Sequence, residues 1–248
     1  DGHKITASGN AIIKASPFGD GKSAMYFDGS NDKLEIPNST DFDIGTGDYT
    51  IEFWLYDISV ADGNGFIGSQ NESGYSGWLL RRTSGELDFN SWGSGSEEVQ
   101  LSTTNSGIGS SRTWRHIALV KNGSSYKFYI NGTENSSLSN GASTLTTSSQ
   151  PFKIGVNWGT SYSKCYMDGI RISNIARYTN NFTPPTRAYG AYGSETPDVG
   201  TITLTATGDG DFTWSEVAGG TALPGTLAVG STTHSGSGNS RTHTATIT

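Results

Sequence analysis

The sequence predicts an all-β protein built as a sandwich or jelly roll, and three observations carry that prediction. The first is Asp48–Tyr56, Asp-Tyr-Thr-Ile-Glu-Phe-Trp-Leu-Tyr, where every residue from Tyr49 onward except Glu52 is β-branched, aromatic or Leu, the types that suit a pleated, half-buried surface. Ile51, Phe53 and Leu55 alternate with Glu52, Trp54 and Tyr56, so a strand sorts them onto two faces and a helix does not. The first face is expected in the core. The second is expected either to lie under another layer or to be a binding surface. The second observation is that 34 glycines and many Asn, Asp and Ser residues punctuate short apolar runs, the pattern of many strands joined by tight turns. The third is that no convincing helical periodicity occurs beyond a turn at Asn174–Arg177.

Taken in order, Ile5–Ile13 alternates loosely and reads as an edge strand. Ser23–Phe27 and Lys33–Ile36 flank Asp28-Gly-Ser-Asn-Asp32, a run of turn formers, and so predict a hairpin that Pro37 ends. Asp41–Gly47 is a polar connector into the central strand. Ser59–Gly65 is a loop, and Gly65–Ser69 a short strand. Trp78–Arg82 and Glu86–Trp92 form a hairpin across Thr83-Ser-Gly85. Within its second strand, Leu87 and Phe89 face one way and Glu86, Asp88, Asn90 and Trp92 the other. Ser94–Ser111 is polar and glycine-rich, with one short strand at Val99–Leu101. Asn122-Gly123 joins Trp114–Lys121 to Ser125–Ile130, Asn131-Gly132 turns the chain again, and Phe152–Val156 and Tyr166–Ser173 complete the set. Ala188–Pro197 has the composition of a linker. Beyond it, residues 198–248 are crowded with Thr, Gly and Ser, hold a single basic residue, Arg241, and alternate again at Thr201–Thr207, Phe212–Trp214 and Thr242–Thr248. The organisation expected is a first β domain over 1–188 and a small second one over 197–248, ending as a truncated module would.

The composition excludes several classes of partner. A net charge of −7 and only 16% charged residues offer no basic patch for nucleic acid or an anionic membrane surface, and no apolar run is long enough for a membrane-spanning helix. The chain opens Asp-Gly-His-Lys, without Met or signal peptide, and is expected to be a processed product or a segment of something longer. The lone Cys165 rules out an internal disulfide and a Cys-based zinc site, and in an alternating stretch it reads as a buried, inert thiol. Six Asn-x-Ser/Thr sequons arise by chance in a chain so rich in Ser and Thr.

Met25-Tyr-Phe-Asp-Gly-Ser-Asn-Asp-Lys-Leu34, Asp48–Tyr56 and Tyr166-Met-Asp-Gly-Ile-Arg-Ile-Ser173, in that order and spacing, resemble the laminin G-like branch of the concanavalin A-like lectin/glucanase superfamily. The resemblance implies a concanavalin A-like jelly-roll sandwich over 1–188. The tail Ala176-Arg-Tyr-Thr-Asn-Asn-Phe-Thr-Pro-Pro185 is similar to versions in bacteriophage and environmental viral structural proteins, which implies an extracellular or virion-surface setting. Phe212-Thr-Trp214 and Leu223-Pro-Gly-Thr-Leu227 resemble immunoglobulin-like modules of large surface proteins, so residues 197–248 are expected to be a small immunoglobulin-like β domain.

Because relatives include glucanases, a glycan-cleaving enzyme is the first hypothesis. Glu86-Leu-Asp88 begins the Glu-x-Asp-x-x-Glu pattern of laminarinase-like members, but Ser91 stands where its last carboxylate would be. A retaining mechanism needs two carboxyls about 5–5.5 Å apart, so no catalytic residue is assigned and the chain is expected not to be an enzyme. No Gly-x-Ser-x-Gly occurs, and His3, His116, His234 and His243 include no pair at metal-ligand spacing. Asp28, Asn31 and Asp32 crowd one turn with the hard oxygen ligands that Ca²⁺ takes. The family arrangement implies that Asp168 on the closing strand approaches them, so Ca²⁺ is the expected cofactor; the competing reading is that Asp28 and Asn31 only stabilise the turn. Carbohydrate binding is expected on the outward row Glu86, Asp88, Asn90 and Trp92, helped by Arg82 and Trp158. The competing reading makes the tryptophans core and inter-layer packing. The expected function is thus non-catalytic recognition or decoration on a virion or cell surface, with a glycan or host receptor as partner and other structural subunits beside it. A glycan-cleaving enzyme and a purely structural particle or filament subunit are the alternatives.

Overall fold

The computed structural model describes residues 3–16, 23–59, 62–71, 76–110, 112–157 and 160–185. The chain divides into two units, Asp1–Ala188 and Tyr189–Thr248. The second unit, and with it the immunoglobulin-like expectation, lies outside the described residues, as do Trp158 and the whole 188–197 stretch.

In chain order the strands are β1 (Thr6–Ser8), β2 (Ile12–Ala15), β3 (Ser23–Asp28), β4 (Lys33–Ile36), β5 (Tyr49–Asp57), β6 (Gly65–Gln70), β7 (Gly77–Thr83) and β8 (Glu86–Gly93). They continue as β9 (Ser96–Ser102), β10 (Trp114–Asn122), β11 (Ser125–Ile130), β12 (Thr133–Leu138), β13 (Phe152–Ile154), β14 (Val156–Asn157), β15 (Ser161–Tyr162) and β16 (Lys164–Ser173). Sheet I runs β1-β4-β13-β6-β7-β8-β9 and sheet II runs β12-β11-β10-β5-β16-β3-β2, seven strands each, with β14-β15 a small ribbon beside them. The pairs are antiparallel throughout, so one face of each sheet meets the core and the other looks away from it. The only helix among the described residues is a 3-10 turn at Thr40–Phe42, capped by the Ser39 hydroxyl, which accepts from the Asp41 amide. No helix of the described residues is long and apolar enough to cross a membrane.

The alternation in β5 is realised. Ile51, Phe53 and Leu55 are at most 1% exposed and meet Leu80, Leu87 and Phe89 of sheet I in one continuous core. Cys165, on the neighbouring β16, is a free and buried thiol as expected, its pKa raised by burial. Two local departures from the sequence reading have backbone causes. The expected edge strand Ile5–Ile13 breaks at Gly9, whose φ of +70° favours glycine, so that β1 joins sheet I and β2 joins sheet II. The polar β12 was not expected to be a strand. Asn131 and Gly132, both at positive φ, form a two-residue turn between Ile130 and its partner Thr133, and a mirror-image turn of that kind feeds the next strand directly into the ladder.

The second face of β5 is covered along part of its length. Residues 174–185 cross it: Ala176, Tyr178 and Phe182 pack on Ala118, Val120 and Tyr129, and the Phe182 amide donates to the Gly132 carbonyl at 2.8 Å. Beneath them Glu52 is fully buried. Its carboxylate takes the Arg171 guanidinium at 2.7 Å and the Tyr178 hydroxyl at 2.9 Å, with His116 Nε2 at 3.2 Å.

Arg82 has the opposite orientation to the one expected. It shares the inward side of β7 with Trp78 and Leu80, is fully buried, and pairs with Asp57 at 2.5 Å across the sandwich. Removing one member of a buried ion pair strands the other, so Arg82→Ala is expected to lower stability by about 3–5 kcal/mol, and by more at pH 8 than at pH 5. Burial already raises the Asp57 carboxyl to about 6 against the pull of Arg82, and loss of the guanidinium raises it further. A carboxyl whose native pKa exceeds its unfolded value gives its full stabilisation below the unfolded pKa and loses it as pH rises through the native one. Urea denaturation of both proteins at the two pH values checks this; an equal loss at both would contradict it.

Candidate functional site

The outward side of sheet I places the predicted row where the alternation put it, and cross-strand pairing adds to it. Three rungs cross β9, β8 and β7, the third lying past a shift of register between β8 and β9 at Ser91–Trp92. Ser102 lies opposite Asp88 and Asp88 opposite Arg81; Gln100 opposite Asn90 and Asn90 opposite Leu79; Glu97 opposite Trp92 and Trp92 opposite Gly77. The rungs are tied together by side chains. Arg81 Nε lies 3.3 Å from Asp88 Oδ2, and the same guanidinium sits 5.9 Å from the Trp92 ring centroid, within the reach of a cation–π contact. Ser102 donates to Asp88 Oδ1 at 2.6 Å, and Asn90 Nδ2 donates to Glu97 Oε1 at 2.6 Å.

Burial divides this set into a floor and a rim. Asp88 and Asn90 are each only 1% exposed and serve as the floor: Asp88 orients Arg81 beside Trp92, and Asn90 orients Glu97. Trp92 and Arg81 are partly exposed, and Glu97, Gln100 and Ser102 are exposed. These five are the part of the network open to solvent. Of the expected residues the structure brings together Asp88, Asn90 and Trp92; Glu86 is drawn to one end of the row, Arg82 faces inward, and Trp158 lies outside the described residues.

Arg81, Glu97, Gln100 and Ser102 were not singled out as site residues. Arg81 was legible in principle, because it is in phase with the outward row through the hairpin. The other three were hidden because Ser94-Gly95 looked like a break in the chain, whereas both residues have positive φ and form a two-residue turn from Gly93 to Ser96.

Glu86 does different work. Its Oε2 accepts from the Thr103 hydroxyl at 2.7 Å and the Ser106 amide at 3.0 Å. Burial pushes its pKa up, but the Ser106 and Thr103 hydrogen bonds outweigh that and hold it below the ordinary value. It stands at the edge of a depression of about 540 Å³ walled by Arg82, Ser84, Gly85, Asn105 and 107–110. Among the described residues that hollow has no aromatic wall, and so no stacking surface like that of the Trp92 row. A glycosidase acid needs a carboxyl whose pKa is raised, and Glu86 is shifted the other way.

The four expected calcium ligands do not converge. Lys164 is the residue of β16 that pairs with Asp28, while Asp168 pairs with Trp54 of β5. Four residues of strand separate them, about 13 Å. Asp168 therefore does not approach the turn; its Oδ1 accepts from the Gly169 amide at 2.8 Å. Asp32 is fully buried and accepts the backbone N–H groups of Asn10 and Asp28, which pins the corner where the chain leaves sheet I for sheet II. Asp28 Oδ1 accepts from the Ser30 amide at 2.7 Å, and Asn31 is exposed beside it. Among the described residues no group of three or more His, Cys, Asp or Glu side chains is placed to hold a metal ion.

Two facing seven-stranded antiparallel sheets, with an aromatic and polar platform on an outward face, define the protein as a lectin-type β-sandwich. The chain belongs to the concanavalin A-like lectin/glucanases superfamily, whose laminin G-type model matches residues 28–181. No curated protein matches it. Among solved structures it is similar to the binding domain of Paraclostridial Mosquitocidal Protein 1, with a TM-score of 0.57 and 18% identity over 71% of this chain and 45% of that one. It is similar also to the botulinum neurotoxin serotype D ligand binding domain in complex with N-acetylneuraminic acid, with a TM-score of 0.54 and 13% identity over 71% and 43%. A third is domain 4 of AbnA, an extracellular arabinanase of Geobacillus stearothermophilus, in complex with arabinotriose, with a TM-score of 0.53 and 19% identity over 68% and 81%. The chain spans less than half the length of the toxin domains it matches. At these identities the likeness is one of fold.

Since backbone amides account for the buried Asp32 carboxylate, excess chelator is expected to leave the melting temperature unchanged. Asp32→Ala, which strands two amides, is expected to lower it by several degrees (about 1–3 kcal/mol). Differential scanning calorimetry with and without chelator separates the two; a chelator-dependent fall would return calcium to this turn.

Proposed function

We propose that the protein is a non-catalytic saccharide-recognition module acting outside the cell, displayed on a virion or cell surface, and that its ligand sits on the Trp92 platform of sheet I. The observation that carries this reading is the Arg81–Trp92 pair. A partly exposed indole is held by a guanidinium that Asp88 fixes in turn, and a hydrogen-bonding rim (Glu97, Gln100, Ser102) stands along it on the next strand. A sugar ring presents a C–H face that stacks on an aromatic surface and hydroxyls that need polar partners at its edge, and the platform supplies both. The similar folds of two domains named for binding, one of them in complex with N-acetylneuraminic acid, and of an arabinanase domain in complex with arabinotriose support a saccharide or receptor as the ligand class. The likeness of the 176–185 tail to viral structural proteins supports display on a particle.

Trp92→Ala is expected to weaken binding of the full chain to its saccharides at least tenfold, a loss of about 1.4 kcal/mol, while lowering stability by less than the ~3–5 kcal/mol of a core Trp→Ala change. A glycan array paired with thermal unfolding checks both numbers. Normal binding by the variant, or collapse of its stability, would place the ligand elsewhere.

A further inference from the structure

We infer that the Trp92 platform takes a neutral saccharide, with hydroxyl-donating sugar units and no carboxylate, sulfate or phosphate; this rests on the recognition reading above. Four features of the platform lead there.

The charge beside the ring is already compensated or negative. Arg81, the cation at the ring, is paired with Asp88. Glu97, directly across the strand pair from Trp92, is an exposed carboxylate. An anionic sugar stacked on Trp92 would bring a like charge against Glu97, with Asp88 in the floor behind it. Juxtaposed like charges of this kind are how binding surfaces reject wrong partners.

The rim offers acceptor oxygens for a ligand's donors, beside the N–H donors of the Gln100 amide. Glu97 is an exposed carboxylate whose Oε1 receives Asn90 Nδ2. Ser102 spends its proton on Asp88, so its hydroxyl oxygen is left to accept. A sugar hydroxyl is a donor that these oxygens take; a carboxylate in its place brings no donor.

The ring is also partly exposed. The Arg81 guanidinium lies beside the indole, and the residue opposite it on β7, Gly77, has no side chain to cover it. Stacking on an aromatic face adds affinity without charge, which suits an uncharged sugar. Finally, the whole chain carries a net charge of −7, which disfavours the approach of anions in general.

The test uses the full chain and isothermal titration calorimetry against two panels. Neutral arabino-, xylo-, gluco- and galacto-oligosaccharides form the first, and sialyllactose, oligogalacturonate and a heparin tetrasaccharide the second. The expected result is binding by at least one neutral probe, lost in Trp92→Ala, with every acidic probe at least tenfold weaker. Glu97→Gln, a change at an exposed position, is expected to narrow that gap at least threefold. If an acidic probe binds as tightly as the neutral ones and Trp92→Ala abolishes it, the neutral assignment is overturned while the platform stands. If Glu97→Gln leaves the gap unchanged, Glu97 is not what rejects anions and the inference is likewise overturned. If no probe of either panel binds in a Trp92-dependent way, the recognition reading itself fails and the inference fails with it.

Discussion

A carboxylate at the middle of the central strand must be neutralised wherever it is buried, and Glu52 imposes that condition on half of this fold. It sits between Ile51 and Phe53, so the alternation that sends those two into the core sends Glu52 to the other side of sheet II. There it is fully buried, and a buried charge persists only when paired and hydrogen-bonded. Its partners come from separate parts of the chain: His116 on β10, Arg171 on β16, and Tyr178 beyond the last strand. The two strands that flank β5, β10 and β16, and the 174–185 crossing are therefore registered against one carboxylate. Thr50 reinforces the same arrangement by donating to the Ile175 carbonyl and accepting from the Arg177 amide.

The consequence is an asymmetry between the two outward faces. On sheet II the crossing segment lays Ala176, Tyr178 and Phe182 over part of the sheet, and Trp54 and Tyr56 pack by their edges against His116 and Trp114. On sheet I the outward rungs are closed by their own polar network instead. Asp88 and Asn90 are sealed by Arg81, Ser102 and Glu97, and the exposed atoms that remain belong to one indole and its polar rim. A single substitution pattern along β8, apolar inward and polar or aromatic outward, thus builds both the core contact and the floor of the candidate site.

The places where the sequence reading departed from the structure share one cause. Arg82 looked like a ligand-binding residue because an arginine beside a polar row usually stays in water. Its partner, Asp57, is 25 residues away, and no local pattern announces a cross-sandwich ion pair. Asp168 was drawn toward the Asp28 turn by family arrangement, and the register of β16 puts it opposite Trp54 instead. Glu97 and Gln100 were lost because one positive-φ turn at Ser94-Gly95 was taken for a glycine-rich break.

Local periodicity determined what local periodicity can: the all-β class, the central strand, the hairpin of β7 and β8, and the face on which Asp88, Asn90 and Trp92 lie. Each follows from side chains alternating every two residues, a property that needs no knowledge of neighbouring strands. Only the tertiary structure decided which outward face is covered, that Arg82 closes on Asp57, and that Arg81 and Glu97 flank Trp92. Those outcomes depend on strand order and register, which are settled by which distant segments bury their apolar faces together. A sequence displays the faces, but the pairing of faces is a property of the assembled sandwich.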